Sequence, residues 1–240
     1  MKAIFIHDHT DGYAGVAASV KWQPWTSKTS LPTSGYYYLT EDVQIDKDRF
    51  AEIKNDDLFL CLNGHTVTAR AAGTDGKTNI FRLTGSGDLT ICDCNENAGA
   101  VTGASMGAIF TMGTATGTVN IYNGNFTGNT TNDSGAVAVL QNTCQLNIYG
   151  GEFKGNTATN HGGAFFVGAN ATVNIYGGNY SYNSTRYDEI IDESDPLEAG
   201  RVSTNGGAFF NSAASGGMEA LFVSHGRIAG AVDGHPLQVL

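Results

Sequence analysis

Charge, proline and long apolar runs are all scarce in this sequence. Only 15% of its 240 residues are charged, and 13 Lys+Arg face 23 Asp+Glu for a formal net charge of −10. That balance argues against a nucleic-acid partner, since affinity for a phosphate backbone comes from lysine and arginine. No stretch reaches the roughly 18 consecutive apolar residues of a membrane-spanning helix, so membrane insertion is not expected. The opening MKAIFIHDHTDGYAG has an apolar run of four before His7. A secretory signal needs about 7–15, so a removed leader or an internal piece of a longer chain is expected. With 4 Pro against 32 Gly, turns and ladders dominate over helices, and 41% hydrophobic residues are enough to bury a core.

What is present is a repeat. VNIYNGNFTGN (Val119 to Asn129) returns as LNIYGGEFKGN from Leu146 and VNIYGGNYSYN from Val173, which sets Ile121, Ile148 and Ile175 at steps of 27. A second string, MGAIF, SGAVA and GGAFF, sets Gly107, Gly135 and Gly163 at steps of 28. Short apolar strands separated by Gly, Asn and Thr turns at this period predict turns of a parallel β-helix, while a propeller blade would need a longer, four-stranded unit. DLFLCLNGHTV (Asp57 to Val67) and DLTICDC (Asp88 to Cys94) read as earlier rungs, taking the repeat back to about residue 57. The expected fold is an all-β, single-stranded right-handed parallel β-helix of about six coils.

Residues 1–34 lie before the repeat, and Trp22, Trp25 and Pro32 suggest an N-terminal cap over the open end of the core. Residues 35–240 form the solenoid domain. GYYYLTEDVQI (Gly35 to Ile45) alternates as a strand pair would, and DKDRFAEIKND (46–56) reads as a short helix or polar loop. After Asn183 the register breaks. NGGAFF (Asn205 to Phe210) resumes it, and ALFVSHGRI puts Val223 in the position above Ile175. The intervening 181–204 is an acidic loop insertion, and Asp188, Asp192 and Asp195 are its candidate calcium ligands. A solvated loop is the plainer reading.

Stacked coils lie about 4.8 Å apart, so equivalent residues form ladders. The period of two turns Ile91, Ile121, Ile148, Ile175 and Val223 inward with Phe126, Phe153 and Tyr180. Asn129, Asn156 and Asn183 fall at corners, where an amide satisfies turn backbone groups and bonds its copy above. Tyr122, Tyr149 and Tyr176 turn outward beside Asn120, Asn147 and Asn174. Such a strip is either a self-stacked ladder shielding the sheet or a ligand-binding surface, with tyrosines against sugar rings and amides on hydroxyls. Cys61 and Cys92 occupy one ladder position, within reach of a disulfide. Cys92-x-Cys94 lacks a second pair at zinc spacing.

LPTSGYYYLTEDVQI followed by LCLNGHTV, LTICDC and the paired GGAFF and FKGN strings resembles the right-handed β-helix regions of large surface proteins of Gram-positive gut bacteria. The alternation of GGA with F-x-x-N is similar to the repeats of chlamydial polymorphic outer-membrane proteins, which are adhesins. The resemblance spans roughly residues 31–230 and implies an extracellular, cell-surface solenoid. A non-catalytic adhesion or glycan-contacting module, meeting a glycan or host-surface ligand, is the expected function. A polysaccharide lyase or glycoside hydrolase on the same fold is the alternative, with His225 and Arg227 in SHGRI as its only candidate catalytic residues. A structural spacer is the third reading. The open terminal coil also offers a route to self-association.

Overall fold

Strands of two to five residues cannot stand alone, and this chain contains little else. In a computed structural model, residues 21–46, 48–70, 78–95 and 98–185 are described, with the short strands His7–Asp8, Gly12–Tyr13, Phe209–Asn211, Gly226–Arg227 and Leu237–Val239. They build an all-β parallel solenoid of about five turns, and the described residues contain no helix. Each turn visits three sheets in the same order, and the later coils add a fourth, three-stranded one of Thr130–Thr131, Thr157–Ala158 and Ser184–Thr185. An eight-stranded sheet includes Leu58–Cys61, Leu89–Cys92, Thr118–Ile121, Gln145–Ile148 and Thr172–Ile175. A seven-stranded sheet includes Ala100–Thr102, Asn125–Thr127 and Glu152–Lys154, and a six-stranded one Phe81–Leu83, Ile109–Thr111 and Phe165–Val167.

The 27-residue step becomes strand register. Ile121 pairs with Ile148 and Ile148 with Ile175, while Phe126 pairs with Phe153 and Phe153 with Tyr180. All six lie in the core, and the Phe126, Phe153 and Tyr180 rings stack at 5.2 and 5.0 Å. Each buried side chain of this size contributes roughly 1.5–3 kcal/mol relative to exposure, and these columns supply it coil after coil. None of the four prolines falls between residues 33 and 195. The whole regular stack therefore keeps every backbone donor its ladders need.

The corner asparagines do what their spacing suggests. Asn156 Nδ2 donates to Phe126 O at 2.8 Å and to Asn183 Oδ1 at 2.8 Å, and Asn156 Oδ1 accepts from Asn129 N and Asn129 Nδ2, both at 3.1 Å. Asn129 and Asn156 are completely buried, and each amide bonds the coil before and the coil after its own at once.

Several expectations are corrected. Gly35–Leu39 and Val43–Ile45 do not pair with each other: they enter different sheets, facing Leu58–Cys61 and Thr66–Ala69. The stretch read as helix or loop holds the strand Ala51–Ile53, paired with Phe81–Leu83. The regular coils thus begin at Gly35 rather than near 57, with Gln23–Trp25 as a further parallel strand. The third left-handed corner glycine is Gly162 (φ +58), following Gly107 and Gly135, and not Gly163. A Cβ on Gly162 would stand 2.0 Å from Phe165 O, which no side chain tolerates. Phe209–Asn211 resumes the parallel order as expected. The strand beside Ile175, however, is Leu237–Val239, antiparallel, and Val223 lies outside the described residues.

Ile148→Ala is expected to lower the free energy of unfolding by about 2–5 kcal/mol, and urea titration measures it. Thr143→Ala, at an exposed position one corner earlier, should change it by less than about 0.5 kcal/mol. Asn156→Ala strands two backbone groups, Phe126 O and Asn129 N, and the amides of Asn129 and Asn183, at about 1–3 kcal/mol each. Its loss should equal or exceed that of Ile148→Ala although fewer apolar atoms are removed.

Candidate functional site

Two columns run along the outer face of the eight-stranded sheet. One passes from Tyr36 over Phe59, Thr90, Asn120 and Asn147 to Asn174. The other passes from Tyr38 over Cys61 and Cys92, with Tyr122, Tyr149 and Tyr176 continuing it. In-register pairing makes each column a property of the repeat, because a residue facing outward in one coil puts its copy in the same place in the next.

The three tyrosines stack face to face. Tyr122 and Tyr149 have centroids 4.4 Å apart at 6°, and Tyr149 and Tyr176 are 4.8 Å apart at 7°. The rings are half-buried. Their inner faces cover one another, and what they turn outward is edges and hydroxyls. Burial and the neighbouring phenols push Tyr122 and Tyr149 above the ordinary tyrosine range.

The amides beside them are more deeply placed than outward-facing residues usually are. Asn147 and Asn174 are buried, and Asn120 is half-buried. Asn174 Nδ2 donates to Asn147 Oδ1 at 2.9 Å and Asn147 Nδ2 to Asn120 Oδ1 at 2.9 Å, while Asn120 Nδ2 reaches Thr90 Oγ1 at 3.4 Å. Gln145 Nε2 fills the second acceptor site on Asn147 Oδ1 at 2.9 Å. Apart from Asn174 Oδ1, which is buried without a partner among the described residues, these amides spend their hydrogen bonds within the ladder, which leaves the tyrosine edges as the exposed part of the strip.

Two arrangements were not visible from spacing. Asp93, nearly fully buried, accepts backbone N–H bonds from Gly64 at 2.8 Å, Asn95 at 3.2 Å and Gly99 at 2.7 Å. Its carboxylate fastens the corner of one coil to the next, as Asp57 and Asp88 do by accepting from Asp88 N and Thr118 N. The recurrent Asp-Leu opening both early rungs was the available signal. Second, Ser134 Oγ donates to Asp133 Oδ1 at 3.3 Å and lies 3.5 Å from His161 Nδ1. A hydrolytic triad needs the histidine in the middle, receiving the serine proton. Here the serine is in the middle, buried, and its proton is given to the carboxylate.

Among the described residues, no group of three or more His, Cys, Asp or Glu is placed to hold a metal ion. Asp188, Asp192, Asp195 and His225 lie outside the described residues, and Arg227 is described only in its backbone, paired with Asn179. Cys61 and Cys92 are register partners as expected, and both are thiols. No family model, curated protein or solved structure matches the chain.

The raised tyrosines have a consequence for pH. A phenol that holds its proton more tightly folded than unfolded contributes stability that is fully present below about pH 10, the unfolded value, and is lost as pH rises beyond it. The urea midpoint should therefore fall steeply above about pH 10. The double variant Tyr122→Phe/Tyr149→Phe should flatten that fall, and an unchanged slope in the variant would contradict the assignment.

Proposed function

We propose that this solenoid is a non-catalytic adhesion or glycan-contacting module displayed at a bacterial cell surface. The observation that supports it is the Tyr122, Tyr149 and Tyr176 column, an ordered row of aromatic edges and hydroxyls on the outside of a rigid sheet. Because the ring faces cover each other, a ligand meets a row of hydroxyls carried on rings whose centroids are 4.4 and 4.8 Å apart. That favours an extended polymer lying along the solenoid axis, bonded hydroxyl to hydroxyl. A single sugar clasped against an aromatic face fits the column less well. Asn120, Asn147 and Asn174 back the column and hold its spacing. The surface location rests on the resemblance of LCLNGHTV and the paired GGAFF and FKGN strings.

A second reading has its own support. Amides that satisfy one another and rings that cover one another are what a structural spacer needs, with no ligand at all. Retention of intact polysaccharides from a glycan panel separates the two. The binding module retains polymers without shortening them, and Tyr149→Phe/Tyr176→Phe weakens retention by roughly 5- to 100-fold, at about 0.5–1.5 kcal/mol for each hydroxyl. No retention of any polymer supports the spacer. Shortened chains or unsaturated ends move the assignment to a polysaccharide lyase or glycoside hydrolase.

A further inference from the structure

The outer face of the eight-stranded sheet carries three cysteines that the core does not require. Cys61 and Cys92 point away from the core and are covered by Trp22, with Tyr36, Tyr38 and Phe59 around them. Cys94 lies two residues beyond Cys92, past the end of the strand. Its sulfur meets Cys61 diagonally: Cys61 Sγ donates to Cys94 Sγ at 3.4 Å, and Cys94 Sγ donates to Asn63 Oδ1 at 3.3 Å. Exposure separates the three, since Cys61 and Cys92 are shut off from solvent and Cys94 is half-buried.

We propose that Cys61 and Cys94 form a reversible dithiol–disulfide pair that reacts with small-molecule disulfides, Cys94 being the thiol that meets the reagent and Cys61 the one that resolves it. Cys94, as thiolate, attacks one sulfur of R–S–S–R. The S–S bond of the reagent breaks and R–S⁻ leaves, taking a proton from water. Cys61 then attacks Cys94 Sγ, its proton passing to the departing sulfur, and the mixed disulfide breaks with loss of the second R–S–H. Two protein thiols have lost two hydrogens, and the reagent has been reduced to two thiols. The lateral neighbour Cys92 stays a thiol because nothing from solvent reaches it first. Burial pushes the Cys61 thiol up, so the second step is the slower one and the adduct on Cys94 accumulates before closure.

The pair joins residues 33 apart in sequence that sit in consecutive coils. Closing it brings the sulfurs from 3.4 Å to the roughly 2.05 Å of a disulfide bond and removes conformations from the unfolded chain.

Oxidised glutathione added to the intact chain, followed by acid quench, thiol alkylation and tandem mass spectrometry, tests this. A transient glutathione adduct on Cys94 should give way to a product two hydrogens lighter, with the link between Cys61 and Cys94 and with Cys92 alkylated. Cys92→Ser should still close, Cys94→Ser should not, and Cys61→Ser should stop at the adduct. The closed form should unfold at higher urea than the reduced form. A link between Cys61 and Cys92 in the wild-type chain, or an adduct on Cys94 that never closes, would overturn the proposal. The wild-type fragmentation pattern decides between these even if a serine variant fails to fold.

Discussion

Parallel backbone hydrogen bonding between consecutive coils is the constraint on which everything else in this molecule depends. It requires that Ile121, Ile148 and Ile175 lie over one another, and the same bonds place Tyr122, Tyr149 and Tyr176 in a second line on the opposite face. No strand in the described stack is longer than five residues, so no strand is stable by itself. Stability is therefore close to a sum of coil-to-coil interfaces. A coil is held because its copy above offers the same shape, and a change at one position is felt chiefly by the two coils that flank it.

That constraint treats polar and apolar columns differently. A column of isoleucines gains by burial alone, whereas a column of asparagines must also pair every donor with an acceptor. The corner column manages this because Asn129 Nδ2 donates to Asn156 Oδ1 and Asn156 Nδ2 to Asn183 Oδ1, each towards the following coil. The outer column runs in the opposite sense, Asn174 and Asn147 each donating to the coil before. A ladder that closes its own hydrogen bonds has little left for a ligand, and so any recognition by this face falls to the tyrosine edges. Along the same sheet the character changes: towards the N-terminal coils the outer columns hold Phe59, Cys61 and Cys92 under Trp22. One face thus carries a covered thiol cluster at one end and an open aromatic column at the other.

The later coils were legible because their loops are constant in length, which keeps Ile148 and Ile175 at a fixed step. The first coils were not. Gly35–Leu39 reads Gly-Tyr-Tyr-Tyr-Leu, where an outward and an inward tyrosine look alike, and Ala51–Ile53 is three residues set among charges. GGAFF offers two glycines, and only backbone geometry shows that Gly162 is the left-handed one. Within the candidate site the tyrosine column could be read from the period of two. The depth of Asn147 could not, since alternation gives the direction of a side chain and says nothing of what packs beside it. Cys94 escaped for a related reason: its contact with Cys61 is diagonal, and ladder reasoning finds only partners at the same height.

A fold that templates its own next coil must also stop. At the N-terminal side the eight-stranded sheet ends in Gln23–Trp25, whose middle residue is Pro24. Proline cannot donate, so it breaks the run of hydrogen bonds another strand would need. On the other side the solution is reversal of direction. Leu237–Val239 lies antiparallel on Thr172–Ile175, and Gly226–Arg227 lies antiparallel on Asn179–Ser181. An antiparallel strand occupies the open bonds of the last coil but does not present that coil's own pattern to a newcomer, because its side chains follow one another in the opposite order. The six-stranded sheet continues in parallel through Phe209–Asn211. With its two neighbours closed, a further copy of the repeat would find only that edge and the two-residue edge Ser184–Thr185 in register.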